Sequence, residues 1–232
     1  MSSEWTATPW RRVVRGMRGD RSGMSPDVFD EIAFSRLLAR ARDGDNSAMG
    51  ELLQRYRNYL SLLARVQIGR QLQGKLDVAD VVQEANLAAH RAIGQFRGST
   101  EAQLLAWLRQ ILVAILANQV RKFVGTRRRD VTLERELGDH IDQSSAWLGP
   151  QLISPQSSPS AQASRREQAV LLADAMEGLP EDYREVIILR QLEGLSFPDV
   201  ARRMGRTEDS VKNLWARALA KLRRSLNMLE GT

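Results

Sequence analysis

Asn118, Arg121 and Lys122 stand three and four residues apart, so a helix through them carries one amide and two cations on a single face. Arg127, Arg128 and Arg129 follow, and no acidic residue occurs between Ala102 and Arg129. Cations without neighbouring carboxylates suit phosphate contacts, and an asparagine amide can hydrogen-bond a base edge. A basic helix end also offsets its own dipole. On its own, the stretch reads equally well as a nucleic-acid surface or as a solvated terminus.

A second stretch is more specific. In "SFPDVARRMGRTEDSVKNLWARAL", Ser196 can cap a helix and Asp199 can return the bond. Pro198 falls in the first turn, where its missing N–H is harmless. Gly205 suits a left-handed stop, and Thr207 can cap a second helix whose first turn holds Glu208 and Asp209. Val211, Leu214, Trp215, Ala218 and Leu222 continue an apolar face at helical spacing. Small Ala201 permits a close crossing. This is the anatomy of a helix-turn-helix, whose second helix enters the major groove. Charge agrees: Arg202 to Arg224 holds eight basic residues against Glu208 and Asp209.

A third cluster has the opposite sign. Asp80, Gln83 and Glu84 lie together at helical spacing, beside apolar Leu87. Such a patch repels DNA and suits a basic protein partner. From the residues alone, ordinary helix solubility is the favoured account of it.

Much chemistry is excluded. The chain of 232 residues has net charge +6 and no cysteine, so a disulfide scaffold and a thiolate metal site are both out of reach. His90 and His140 are too few for a zinc centre. No Gly-rich phosphate loop and no nucleophile–base constellation is present. No enzymatic activity, metal or cofactor is expected. No secretory segment is expected either. The most apolar run, Leu104 to Val120, is short for a membrane span and contains Arg109, Gln110, Asn118 and Gln119. These features point to a cytoplasmic protein without a membrane segment.

Helices must position these groups. One face is formed by Phe29, Ile32, Ala33, Leu37 and Leu38, and "RDGDNS" breaks it. A second helix turns Leu52, Leu53, Tyr56, Leu60, Leu63 and Val66 inward. After a gap at Gly69–Gly74, a third runs from about Asp77 to Gln95 and a fourth from about Gln103 to Val124. No period-two stretch competes with them, so the expected class is all-α. Residues 1–26 read as a disordered arm, with Met24 an alternative start and Trp5 and Trp10 without an assigned role. Residues 27–129 form a helical domain. Residues 130–164, acidic and then rich in Ser and Pro, read as an extended linker, and 165–232 form the helix-turn-helix domain.

Three segments occur in a familiar order: "DVADVVQEANLAAHRAIGQFRG", "AWLRQILVAILANQVRK" and "GLPEDYREVIILRQLEGLSFPDVARRMGRTEDSVKNLWARALAKLR". Together they resemble bacterial RNA polymerase sigma factors of the extracytoplasmic-function (ECF) type, which keep only regions two and four. The resemblance spans Phe29 to Asn227 apart from the linker. It implies that Asp80, Gln83, Glu84 and Leu87 grip the clamp of core RNA polymerase. It implies that Phe96, Arg97, Asn118, Arg121 and Lys122 meet the melted minus-ten strand. Arg206, Thr207, Ser210, Lys212, Asn213 and Arg217 would meet the minus-thirty-five duplex. The implied linker threads along the polymerase as an acidic mimic of nucleic acid.

The implied partners are core RNA polymerase, promoter DNA and, as in many relatives, an anti-sigma protein that nothing in the sequence identifies. The free chain is expected to be a monomer. Two positions and one loop depart from the pattern. Ala114 and Leu214 stand where relatives often carry polar readers, and the loop from Phe96 to Trp107 is slightly longer. The rival reading is a free-standing helix-turn-helix regulator, which would bind duplex DNA by itself as a symmetric dimer.

Overall fold

The computed structural model describes residues 26–71, 76–124, 131–148 and 159–230. The arm with Trp5, Trp10 and Met24, residues 72–74 of the expected gap (its first three residues are helical), Arg127–Arg129 and residues 149–158 of the Ser/Pro stretch lie outside the described residues. Within them every regular element is helical, as the apolar spacing requires.

Helix α1 (Pro26–Arg42) leads through a tight corner into α2 (Asn46–Gln71). Asp45 makes the corner. Its Oδ1 accepts from the amides of Ser47 and Ala48 at 2.9 and 3.1 Å, and its Oδ2 takes the Arg40 guanidinium at 2.6 Å. The bond from Ala48 and then the Arg40 contact hold the Asp45 carboxyl below its ordinary range. Helix α3 (Val78–Ala92) starts at Asp77, whose side chain accepts from Ala79 N at 2.7 Å. It ends in a short 3-10 turn, Ile93–Gln95. Helix α4 (Glu101–Val124) opens with a reciprocal cap: Gln103 Oε1 accepts from the amides of Ser99 and Thr100, and Thr100 Oγ1 accepts from Gln103 N.

By length and composition alone α4 is apolar enough to cross a membrane over Glu101–Lys122. Its leucines account for this otherwise. Leu104, Leu105, Leu108, Leu112 and Leu116 are buried in the bundle with Tyr56, Tyr59, Leu60 and Leu63 of α2 and Val81, Val82 and Ala85 of α3.

The acidic half of the expected linker is not extended. Residues Val131–Leu148 form a helix, α5, which packs on α4 and α2. Leu137 and Ile141 are its anchors, buried in the same core. Four residues apart, they share one face, and the acids occupy the others.

Helix α6 (Pro159–Glu177) begins inside the expected linker and packs on both α2 and the last helix. Its corner with α7 (Glu181–Ile187) is held by Arg184, which donates to the carbonyls of Met176, Glu177 and Leu179. The first two are orphan acceptors of the end of α6, and the third belongs to the corner itself. A π turn, Ile188–Leu192, leads into α8 (Phe197–Met204) and α9 (Glu208–Glu230). The α8–α9 corner follows its local signals: Ser196 caps α8, Gly205 turns it at φ +63°, and Thr207 Oγ1 accepts from Ser210 N.

Where α6 meets α2, Asn58 Nδ2 donates to Asp174 Oδ1 at 2.8 Å. Burial pushes the Asp174 carboxyl above its ordinary range, and the Asn58 bond offsets this only in part. The folded chain therefore holds this proton at a pH where the unfolded chain has released it. The cost of charging Asp174 is in force above the raised folded value and fades as pH falls through it. Asp174→Asn is expected to raise the melting temperature, by a gain worth no more than about 1 kcal/mol. The gain should be larger at about pH 8 than at about pH 4. Thermal melts at the two pH values check this, and equal gains would count against the burial cost.

Candidate nucleic-acid and partner interfaces

The N-terminal half of α9 is fixed by its inner face. Val211 and Ala218 are fully buried, Leu222 and Leu226 nearly so. This rotation leaves Arg206, Thr207, Ser210, Lys212, Asn213 and Arg217 exposed. The crossing of α8 and α9 is braced by an edge-to-face contact of Phe197 with Trp215, ring centroids 5.6 Å apart, and by the Arg190 guanidinium over the Phe197 ring. Arg190 also donates to Leu195 O at 3.0 Å. Two of the cations already have carboxylate partners. Arg206 Nη2 lies 2.5 Å from Asp182 of α7, and Lys212 Nζ 2.7 Å from Glu208 one turn back. The Glu208 contact raises the Lys212 pKa. Exposed pairs of this kind are weak, so a phosphate can compete for either cation.

The end of α4 is less open than its sequence suggests. Lys122 is exposed and Asn118 half-buried, whereas Arg121 turns toward α5 and pairs with Glu134 at 2.9 Å. Arg97 is exposed and donates to Gly94 O at 3.0 Å. Phe96 is buried, so it cannot itself meet a base. It stacks on Trp107 with centroids 5.0 Å apart, under the Arg42 guanidinium, which also donates to Gly98 O. Phe96, Trp107 and Arg42 thus hold the loop that precedes α4. Arg42 went unnoticed in the sequence because it belongs to α1, far away along the chain.

On α3, Asp80, Gln83 and Leu87 face outward on successive turns, with Leu87 50% exposed. Glu84 is separate from them. It is half-buried and accepts from Gln119 Nε2 of α4 at 2.7 Å. Its carboxylate ties α3 to α4. Asp80 and Gln83 form one wall of a groove completed by Arg57, Asn58 and Arg65 of α2 and by Glu177 of α6.

Among the described residues no group of acidic or histidine side chains could hold a metal ion. What remains is an all-helical scaffold with one outward acidic-apolar stripe and two basic, amide-bearing surfaces, one of them a helix-turn-helix. That combination defines a DNA-binding transcription factor assembled with a protein partner.

The comparisons sharpen the class. The sigma-70 region 2 family matches residues 52–125, and sigma-70 region 4 matches residues 169–222. The ECF RNA polymerase sigma-E factor of Haemophilus influenzae is 30% identical over 177 residues, 76% of this chain and 86% of the relative. The ECF RNA polymerase sigma factor SigM of Mycobacterium tuberculosis is 30% identical over 199 residues, 86% of this chain and 87% of the relative. The solved structure of CnrH in complex with the cytosolic domain of CnrY covers 84% of this chain and 97% of its own at 24% identity, with a TM-score of 0.30. The family assignment therefore rests on sequence. The chain belongs to the ECF RNA polymerase sigma factors. It is an alternative sigma factor that directs transcription initiation, and the free-standing regulator is not favoured.

Proposed function

We propose that three surfaces divide the work. Asp80, Gln83 and Leu87 grip core polymerase, with Glu84 orienting α4 behind them. The loop around Arg97 and the end of α4, through Asn118, Arg121 and Lys122, take the unpaired minus-ten strand. The exposed face of α9, with Arg206, Thr207, Ser210, Lys212, Asn213 and Arg217, takes the minus-thirty-five duplex. The observation that carries this is the separation of sign: the outward stripe of α3 is acidic and apolar, while the exposed faces of α4 and α9 end in cations and amides. Like-charge repulsion keeps DNA off the first, and counterion release draws it to the others.

In this reading the chain performs no catalysis, needs no cofactor and acts in the cytoplasm. An anti-sigma protein is a further partner. Domains of residues 27–129 and 165–232 hold the two DNA surfaces. Each surface alone is weak, and core polymerase joins them at high effective concentration. Run-off transcription with purified core polymerase on genomic fragments tests the whole scheme. Specific transcripts that need both components are the expected result. Tight, polymerase-independent occupancy of the same sites would sink it.

One contact can be tested singly. Lys212→Ala is expected to weaken holoenzyme binding to promoter duplex several-fold and to reduce the salt dependence by about one ion. A titration of affinity against salt, with both quantities unchanged, would remove Lys212 from the interface.

A further inference from the structure

We propose that α5 is an intramolecular competitor for Arg121 of the α4 reading face, and that this competition weakens the hold of the free chain on single-stranded DNA. The proposal rests on the reading of α4 as the minus-ten surface. Two ion pairs tie the helices together. Glu134 Oε1 meets Arg121 Nη1 at 2.9 Å, and Asp142 Oδ1 meets Arg109 Nε at 3.0 Å. The numbers run in opposite directions, so α5 lies antiparallel along α4. The Arg121–Glu134 pair is well covered, its side chains 19% and 25% exposed.

Between the pairs, Leu137 and Ile141 are buried in the shared core. The groove beside them is walled by Gln110, Val113 and Ala114 from α4 and by Gly138 and Ile141 from α5. Gln110, Ala114 and Arg121 lie along one stripe of α4, the stripe that leads to Asn118. The acidic helix therefore flanks the surface assigned to the DNA strand and engages Arg121 of it, while Lys122 and Arg97 stay exposed.

The charge of α5 fits that place. It carries Glu134, Glu136, Asp139 and Asp142 against Arg135. A row of carboxylates offers the guanidinium groups what a phosphate backbone offers. Arg121 cannot serve both at full strength, so strand capture requires α5 to yield. Such a device weakens the chain's hold on single strands until polymerase and promoter together supply the competing contacts.

Three measurements test this. The first is the affinity of the free full-length chain for a fluorescein-labelled, mixed-sequence single strand of about 20 nucleotides. Glu134→Gln is expected to tighten binding about fivefold. Glu136→Gln makes the same charge change at an exposed position of the same helix and should give clearly less. Equal gains would reduce the effect to net charge and overturn the proposal. The second measurement repeats Glu134→Gln in an Arg121→Gln background, where the gain should vanish. A gain that persists there overturns the proposal as well.

The third locks the helices. The chain has no cysteine, and a side chain added at Gly138 meets nothing within 4 Å. A Gln110→Cys/Gly138→Cys chain closed by a short bismaleimide should still co-elute with core polymerase. It should give about tenfold less run-off transcript than the same chain capped with N-ethylmaleimide. Equal transcript from the two would overturn the proposal. Failure of the underlying reading looks different: Arg121→Gln would then leave holoenzyme transcription unchanged.

Discussion

Asp80→Lys combined with Leu87→Ala is expected to lower affinity for core RNA polymerase by about a hundredfold while the chain stays folded. Both side chains are exposed on α3, and neither supports the bundle. Val81, Val82, Ala85 and Ala89 carry the packing on the opposite face of that helix. The lysine places a like charge against the basic partner expected there, and the alanine removes the stripe's one exposed apolar anchor. Fluorescence anisotropy with labelled chain and purified core polymerase measures the loss, and a thermal melt shows that the fold survives. Glu51→Lys, an exposed charge reversal on α2, is the control. If the double variant binds polymerase as tightly as the control, the stripe is not the grip. Glu84 is left out deliberately. Removing it also frees Gln119 and disturbs α4, which mixes two effects.

Gly98→Ala is expected to cost about 1–3 kcal/mol and to impair strand capture. A Cβ at this position would stand 2.7 Å from Gln103 Cβ and collide with the Phe96 ring. Neither neighbour can retreat cheaply. Gln103 is engaged in the α4 cap through its Oε1, and Phe96 is held between Trp107 and Arg42. Relief must come from the loop backbone, which also carries Arg97. Urea denaturation measures the stability change, and permanganate footprinting of a promoter complex measures strand opening. A variant as stable as the parent would show that the loop has room.

The C-terminal half was legible because its signals are local. Ser196, Pro198, Gly205 and Thr207 fix two helices and their corner within a few residues, and α8 and α9 form where those residues place them. The acidic α5 was misread because its carboxylates and the uncharged Ser- and Pro-rich stretch after it have the composition of a linker. The usable signal was spacing: Leu133, Leu137, Ile141 and Ser144 recur every three or four residues, and the last three are buried. Arg121 illustrates a different limit. Periodicity puts it on the Asn118 and Lys122 side of a helix but says nothing of Glu134, which comes from another helix. Phe96 likewise looks like an available aromatic until Arg42 and Trp107 close on it.

Helix α6 bears on how the chain can be dissected. It leans on α2 at one side and on α9 at the other, so the covalent seam between the two halves is not where the contacts part. A fragment ending after Leu148 would leave the flank of α2 around Asn58 stripped of its neighbour, and one beginning at Pro159 would carry the matching flank bare. Biochemists who cut between these points should expect sticky pieces whose behaviour reports the wound rather than the halves.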